Sequence, residues 1–312
     1  MIAVVERSGL DEAFHHGCVA AVDPDGELIA RFGDIDRPFY VRSSAKPFQA
    51  AAAVELGADL PPEHLAVACA SHEGTPTHVA IVRKILSDGG LDESNLRCPT
   101  ARPMSASADR LEAARGSVDD RRVFHNCSGK HAAMLRACVV QGWDTETYFD
   151  SSHPLQVAIL ERMRDVGALV DDRVGIDGCG VPVSRVSART LATAFNHLNT
   201  VPFARVRTAM HRFPALVSGS GNADTEIAVG LDAVAKRGAE GLLAVAAAGR
   251  GALVVRCWDG SERAVAVAAH HALSRLGWIN ERTPFSARLL RPVRGGGEVV
   301  GSVRPVFEFE TS

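Results

Sequence analysis

A serine and a lysine three residues apart stand out in this sequence as side chains that could do chemistry together. They are Ser43 and Lys46, in the segment Val41-Arg42-Ser43-Ser44-Ala45-Lys46-Pro47. A serine hydroxyl is a weak nucleophile until a base takes its proton, and a lysine can be that base when burial or positive charge lowers its pKa. The pair predicts an acyl-transfer enzyme with Ser43 as nucleophile and Lys46 as base.

The residues around this pair predict a turn from a strand into a helix, since residues 50–56 strongly favour helix. With Ser43 as the N-cap, Pro47 falls in the first helical turn, where a missing N–H removes no hydrogen bond. Ser43 and Lys46 then share a face of the helix, whereas Ser44 does not. The alternative is that Ser43 only caps the helix.

Three further polar clusters lie at the ends of predicted strands. The apolar run 66–70 favours a buried strand that ends at Ser71-His72-Glu73-Gly74, and a helix begins at Pro76. The other two clusters are residues 125–131 and 177–182, and each contains a cysteine and glycine. Taken alone, such residues most often satisfy loop backbone groups, so their chemistry depends on whether they converge.

Cys127 and Cys179 lie in the last two clusters, in turns where distant thiols can meet. Thiolates are strong zinc ligands, so the two cysteines predict a metal site. From spacing alone, the third ligand would be a histidine: His125, His131 or His72. The alternative is a pair of buried cysteines that bind nothing.

The composition is that of an ordinary globular protein. Of the 312 residues, 46% are hydrophobic and 23% are charged, and a formal net charge of -3 gives no electrostatic footprint for nucleic acid. The seven cysteines are widely spread, and the N-terminal residues lack the basic and apolar regions of a secretory signal. We expect a single domain over residues 1–312, a cytoplasmic location, and neither a nucleic-acid nor a membrane partner.

The other segments predict alternating strands and helices. A β-hairpin is expected over residues 17–32, around an Asp-Pro-Asp-Gly turn. Further helices are expected over 109–115, up to Gln141, from Pro154, over 184–196 and 201–212, from 224 and over 264–276, and further strands over 173–176, 242–245, 252–258 and 298–309.

Five segments together resemble one family and occur in its order along nearly the whole chain. They are Arg42 to Gln49, Ser71 to Gly74, Asn126 to His131, His153 to Gln156 and Asp177 to Pro182. The chain is similar to the class of L-asparaginases typified by the Rhizobium etli enzyme, the asparaginase II family. This resemblance implies an α/β (α+β) fold similar to serine β-lactamases and glutaminases, with a mixed β-sheet flanked by helices, and usually a homodimer.

The same resemblance implies two adjacent serine–lysine pairs. Ser43 and Lys46 would form the first, and Ser71 would be the serine of the second. At the place expected for the second lysine, before an Asp-Gly turn, this chain has Arg256, which could hold positive charge but could not act as a base. Similarly, Asn222 stands where the family usually has an arginine.

The resemblance also implies a zinc ion held by Cys127, Lys130 and Cys179, so that a lysine takes the place of the histidine considered above. A cation can depress the pKa of a lysine enough for the neutral amine to bind it. Asp177 is a candidate for binding the α-ammonium group of a substrate. The full set of expected substrate-binding residues is Arg42, His72, Glu73, Asn126, Asp177 and Gly178.

These expectations predict an amidohydrolase whose small-molecule substrate is L-asparagine, hydrolysed to L-aspartate and ammonia. One alternative is a related serine–lysine hydrolase of glutamine, a β-aspartyl compound or a lactam. The other is a zinc-containing ligand-binding descendant without turnover, which Arg256 and Asn222 would explain.

Overall fold

The computed structural model of the chain describes residues 1–116, 119–283, 289–290 and 292–311. Within these ranges the strands are β1 (Ala3–Arg7), β2 (Leu10–His15), β3 (Gly17–Val22), β4 (Leu28–Phe32), β5 (Phe39–Tyr40), β6 (Val174–Ile176), β7 (Pro182–Val186), β8 (Ala233–Gly238), β9 (Leu242–Ala247), β10 (Gly251–Cys257), β11 (Pro292–Gly295), β12 (Glu298–Pro305) and β13 (Glu310–Thr311). The α-helices there are α1 (Lys46–Glu55), α2 (Pro62–Ala68), α3 (Pro76–Ser87), α4 (Ala106–Ala114), α5 (Ser128–Gln141), α6 (Pro154–Asp165), α7 (Ala188–His197), α8 (Ala204–Arg212), α9 (Pro214–Ser218), α10 (Ala223–Gly230) and α11 (Glu262–Arg275).

A six-stranded antiparallel sheet, in the order β13-β4-β3-β10-β9-β8, runs through the centre of the described structure. Its inner strands are buried on both faces, which explains why they are runs of Val, Ala and Leu with little polar alternation. Val234 and Val254 pack on the face shared with α1, α2, α5 and α7. Leu243 and Val255 pack on the face shared with α11.

Two smaller sheets complete the described architecture. The sheet β11-β12-β1-β2 covers the other side of α11, so this helix lies between two sheets. The sheet β5-β7-β6 carries the turn that contains Asp177 and Cys179. The predicted class, sheets flanked by helices, is confirmed, and no described helix has the length and apolar character needed to cross a membrane.

Two predicted elements are wrong. Residues 66–70 lie in α2 and just after it, because Pro62 fits the first turn of a helix and a short apolar run does not distinguish a buried strand from a buried helix. The first part of the segment 184–196, predicted as one helix, belongs to β7. Ser187 then caps α7 with a capping box, so the helix begins later.

Candidate active site

The serine–lysine segment forms a short 3-10 helix, Arg42–Ala45, that leads directly into α1. The Lys46 N–H donates to the Ser43 carbonyl, and residues three apart eclipse each other in such a turn, so the two side chains leave from the same side. Pro47 lies in the first turn of α1 as predicted. The predicted cap is wrong, because the 3-10 turn makes Ala45 the N-cap.

The amine of Lys46 ties this turn to two loops. Lys46 Nζ donates to the carbonyl oxygens of Ala70 at 2.6 Å and Asn126 at 3.3 Å, and lies 3.0 Å from Ser71 Oγ. The side chain is fully buried, and burial lowers the pKa of Lys46 because the charged amine has lost its water. Lys46 and Ser71, predicted to belong to two pairs, are therefore in direct contact.

A second buried lysine, Lys236 on β8, reaches the same hydroxyl. Lys236 Nζ lies 2.9 Å from Ser71 Oγ and 2.9 Å from the carbonyl oxygen of Arg237. Burial lowers the pKa of Lys236 to about 7; the carboxylate of Asp224 opposes this shift and the charge of Lys46 adds to it. Ser71 thus lies between two amines, one of which titrates near neutral pH.

Lys236 is absent from the residues predicted above, although the sequence contains a signal for a functional lysine at this position. The lysine follows the apolar run Ala233-Val234-Ala235, and β8 alternates between the two faces of the sheet. Val234 packs towards α1 and α2, so Lys236 leaves on that same buried face. A lone lysine on the buried face of a strand is rare, and such lysines are common at functional sites.

Arg256, predicted at the place of the second lysine, does not take that position. Through the register of the sheet, Arg256 on β10 is level with Gly238 on β8, which is two strands away. Gly238 is two residues beyond Lys236, so Arg256 is not level with that lysine. Its guanidinium donates to the Glu240 carbonyl and lies 5.2 Å from the centroid of the Phe39 ring. The structure therefore does not place Arg256 at the Ser71 hydroxyl, where the second amine is that of Lys236, and a catalytic role for Arg256 stays a prediction.

The two serines of the turn have different surroundings. Ser44 is fully buried, and its hydroxyl donates to the Lys236 carbonyl at 3.2 Å, which fixes the turn against β8. Ser43 is half-buried, and its hydroxyl makes no hydrogen bond to any other residue in the described ranges. The hydroxyl that remains available to a ligand is therefore that of Ser43.

His72 supports the Ser71 loop from inside the protein. It is fully buried, Nδ1 accepts from the Gly74 N–H at 3.1 Å, and Nε2 therefore donates to Ser128 Oγ at 2.8 Å. Burial lowers the pKa of His72 well below its usual range, so the ring is neutral. Both ring nitrogens are engaged within the protein, so the ring is fixed next to Ser71, and the substrate-binding role of His72 stays a prediction.

Glu73 belongs to this loop, and Asn126 lies beside it, where its carbonyl accepts from the His72 N–H. The Glu73 carboxyl packs directly against the Cα of Gly219, where any side chain would collide with it. The Asn126 carbonyl accepts from Lys46, and its side-chain Oδ1 lies 3.3 Å from Cys127 Sγ. Asn126 therefore connects the lysine to the cysteine cluster.

Arg42 and Asp177 form a charge pair beside Ser43. Arg42 Nε donates to Asp177 Oδ1 at 2.6 Å, with the two side chains 29% and 10% exposed. Burial would raise the pKa of Asp177, but the charge of Lys130, the Gly178 N–H and Arg42 lower it below its usual value. Arg42 has a left-handed backbone with φ of 49°. A fixed carboxylate and a fixed guanidinium thus lie next to each other at this wall of the site.

The predicted metal ligands come together. Lys130 Nζ lies 3.0 Å from Cys179 Sγ. The Cys127 and Cys179 side chains are close enough to interact: Cys179 and the charges of Lys46 and Lys130 hold the pKa of Cys127 well below its usual range, whereas Cys127 and burial raise the pKa of Cys179. Burial would lower the pKa of Lys130, but the thiolate charge raises it above its usual value.

A buried histidine lies next to this cluster. His131 Nδ1 is hydrogen-bonded to the Tyr148 hydroxyl at 2.6 Å. Its Nε2 is buried without a hydrogen bond of regular geometry among the described residues, and Cys179 is close enough to raise the pKa of the ring against the effect of burial. Two sulfurs and an amine, with this imidazole beside them, are donors that suit a thiophilic ion, so the residues fit zinc. No histidine completes a set of three mutually close donors with both thiols in the part of the chain that the structure describes. Lys130 lies beside Cys179, and its role as the third ligand stays a prediction.

Asn222 lies next to an arginine side chain of β8. Asn222 Oδ1 accepts from Arg237 Nη1 at 3.2 Å, so a guanidinium from β8 lies next to Asn222. Arg237 follows Lys236 directly, so one strand brings a lysine to Ser71 and an arginine to Asn222.

Known structures and families provide an independent comparison. Solved structures that match include a β-lactamase from Mycobacterium bovis, with 19% identity and a TM-score of 0.47, over 83% of this chain and 94% of that one. A protein called Mglu matches in its tris and glutamate form, with 16% identity and a TM-score of 0.39, over 88% of this chain and 63% of that one. Its native form in 4.3 M NaCl matches with 19% identity and a TM-score of 0.39, over 85% of this chain and 62% of that one. Likenesses this weak do not bear on function. The chain spans less than two thirds of the length of these two Mglu chains.

No curated protein matches the chain. The profile of the family described as L-asparaginase II matches residues 3–305. This range includes both lysines at Ser71, the charge pair of Arg42 and Asp177, and the cysteine cluster. Because only the extreme ends of the sequence fall outside the match, the chain belongs to the L-asparaginase II family.

Proposed function

We propose that this member of an amidohydrolase family hydrolyses the side-chain amide of L-asparagine to L-aspartate and ammonia. The observation that carries the proposal is the Ser71 hydroxyl, which the amines of Lys46 and Lys236 approach to 3.0 and 2.9 Å. A hydroxyl between two amines of lowered pKa can pass a proton between an attacking group and a leaving group. Family membership supports an amide as the bond that is cleaved.

In this proposal Ser43 is the nucleophile and Ser71 carries protons. Ser43 is the more exposed serine and its hydroxyl has no protein partner in the described residues, whereas Ser71 is only 5% exposed and contacts both amines. Lys46 lies on the same side of the turn as Ser43 and can accept its proton once substrate is bound. Catalytic hydrogen bonds often reach their final length only in the substrate complex.

The proposed steps conserve atoms and protons. Ser43 Oγ bonds to the amide carbon while its proton passes to Lys46, and the tetrahedral intermediate then loses ammonia as the C–N bond breaks. The ammonia takes its additional proton through Ser71 from the lysine pair. A water molecule next attacks the resulting ester and gives one proton to the same groups. As the bond between the acyl carbon and Ser43 Oγ breaks, these groups return that proton to Ser43 Oγ and aspartate leaves.

The charge pair beside Ser43 fits the two charged groups of a free amino acid. Arg42 would bind the α-carboxylate and Asp177 the α-ammonium, because each presents a charge opposite to that of its partner group. A zwitterionic ligand would then join an ion pair that already exists and would leave no buried charge unpaired.

Asp177→Asn should raise KM for L-asparagine by about 10 to 100-fold, because a hydrogen bond to a charged group contributes about 1.5–3 kcal/mol. The variant keeps the shape of the side chain and removes its charge. Steady-state kinetics of ammonia release provides the measurement. The matched control is Asp36→Asn, which weakens an exposed pair with Arg189 away from the site and should leave KM unchanged. Equal KM values for Asp177→Asn and the wild type would rule out the α-ammonium role.

The pKa of Lys236 predicts the pH dependence of the reaction. Burial lowers this pKa from 10.5 to about 7, so the neutral amine, which can accept a proton, prevails above that pH. We expect kcat/KM to fall about tenfold per pH unit below about pH 7 and to level off above it. The Lys236→Met variant should lose this acidic limb. A wild-type profile that stays flat across neutral pH would contradict the assignment of Lys236 as a titrating group.

Cys127, Lys130 and Cys179 would hold a zinc ion, with His131 beside them. When bound, the ion would supply positive charge that keeps both thiols deprotonated and holds the Asp177 turn in place. Asp177 and Asn126 are the residues that connect this cluster to the charge pair and to Lys46.

The direct test is ammonia release by the purified protein from L-asparagine, with L-glutamine, a β-aspartyl dipeptide and a lactam assayed in parallel. We expect the highest kcat/KM with L-asparagine. A higher value for another amide would replace the substrate while keeping the serine–lysine chemistry. Release from none of the four by folded protein would overturn the proposed function.

A further inference from the structure

A second cluster of metal-ligating side chains lies where the chain passes from one sheet to the next. The corner His15-His16-Gly17 connects β2 of the four-stranded sheet to β3 of the six-stranded sheet. The His16 carbonyl accepts from the Trp258 N–H at 2.8 Å, and Gly17 pairs with Cys257. The corner is thus held against the end of β10 and the turn that precedes α11.

Three donor side chains meet at this corner. His15 Nδ1 lies 2.6 Å from Asp259 Oδ2, and the Cys257 thiol lies 2.9 Å from Asp259 Oδ1. One donor atom from each of the three residues lies within 4.8 Å of the other two. His15 and Cys257 are 7% and 0% exposed, whereas the Asp259 side chain is 45% exposed. The cluster therefore has two enclosed donors and one donor on the side open to solvent.

We propose that His15, Cys257 and Asp259 bind a divalent ion of the Zn²⁺ type, with a water molecule as fourth ligand. Nitrogen, thiolate and carboxylate are all zinc ligands, and bonds of about 2.0–2.3 Å in a tetrahedron separate the donor atoms by roughly 3.3–3.8 Å. The three donors already approach this spacing, so small side-chain shifts suffice to admit the ion.

The ion would replace the protons that now lie between the donors. The Cys257 S–H bond breaks, its proton goes to solvent, and a metal–sulfur bond forms. The imidazole proton of His15 moves from Nδ1 to Nε2, which is buried and has no partner among the described residues. The thiolate and the Asp259 carboxylate together neutralise the two positive charges of the ion, so no net charge is buried.

This site shares no residue with the set of Cys127, Lys130 and Cys179, so the two can be separated by mutation. Metal-free protein would be titrated with Co²⁺. Two quantities would be measured: the number of metal equivalents bound, and the absorbance of the thiolate-to-cobalt charge-transfer band. Cys257→Ser should bind about one equivalent fewer than the wild type and lose the corresponding part of the band. The matched control is Cys18→Ser, a fully buried cysteine on the neighbouring strand β3, which should bind as the wild type does.

Asp259→Ala provides a second variant at the more exposed ligand, and it should show the same loss if Cys257→Ser does not fold. Cys127→Ser, by contrast, should leave the metal bound at the corner in place. The proposal is overturned if Cys257→Ser and Asp259→Ala bind as much Co²⁺ as the wild type, which would leave the cluster as a hydrogen-bonded corner only. Since metal binding is measured without substrate, this result is independent of the amidohydrolase assay.

Discussion

Replacing Ser43 by alanine should lower kcat for L-asparagine by about 10⁴-fold or more, as the loss of a catalytic nucleophile does in other serine hydrolases. The reason is that an ester to the enzyme can form only at the attacking hydroxyl, and the Ser71 hydroxyl is enclosed between two amines. Ammonia release measures the loss of turnover. Mass spectrometry of wild-type enzyme quenched during turnover should locate the aspartyl adduct on Ser43.

Ser44→Ala is the matched control, because it removes a neighbouring hydroxyl whose hydrogen bond in the described structure is to the Lys236 carbonyl. We expect it to cost about 1 kcal/mol of unfolding free energy, the net value of a typical hydrogen bond, and to change kcat only a few-fold. Turnover that survives Ser43→Ala, with the adduct found on Ser71, would transfer the nucleophile to Ser71 and leave Ser43 as a substrate-contacting residue.

The second large effect should come from Lys236→Met, which we expect to lower kcat by about 10² to 10³-fold. Methionine fills much of the same buried space but removes the amine that lies 2.9 Å from Ser71 Oγ. Of the two amines at Ser71 Oγ, only that of Lys46 then remains to exchange protons with it. Comparison of kcat and kcat/KM with L-asparagine, together with the melting temperature, separates a catalytic loss from a loss of folded protein.

Arg256→Met tests whether Arg256 or Lys236, on the same sheet, is the second cation of the site. Its guanidinium packs near Phe39 and Trp258 and bonds to loop carbonyls, so the change should lower stability and leave kcat within a few-fold of the wild type. A large fall in kcat for Arg256→Met, with little change for Lys236→Met, would restore Arg256 as the second cation of the site.

The parts of the site that could be predicted from sequence are those carried by contiguous residues. Ser43 and Lys46 are three residues apart in one turn, and Cys127 and Lys130 share the start of α5, so their spacing alone places them together. The meeting of these segments with Ser71 and Asp177 was implied by the resemblance, and the structure brings them into contact.

Lys236 was missed for a physical reason that applies to many strand residues. Its contact with Ser71 spans 165 positions and depends on the register of β8 against β9 and β10, which no local pattern encodes. The Asp-Gly turn after β10 is a clear local pattern, and it predicts the position of the second cation at Arg256 instead of Lys236. The error over residues 66–70 is similar, since a short apolar run is compatible with either a buried strand or a buried helix.

The left-handed backbone of Arg42 has a consequence for how this site can change. A non-glycine residue in that conformation costs roughly 1–2 kcal/mol, which the rest of the fold must offset. Glycine would relieve the strain but remove the guanidinium that holds Asp177. Stability and ligand recognition therefore make opposite demands on one position, and selection for a more stable protein would tend to weaken the site there first.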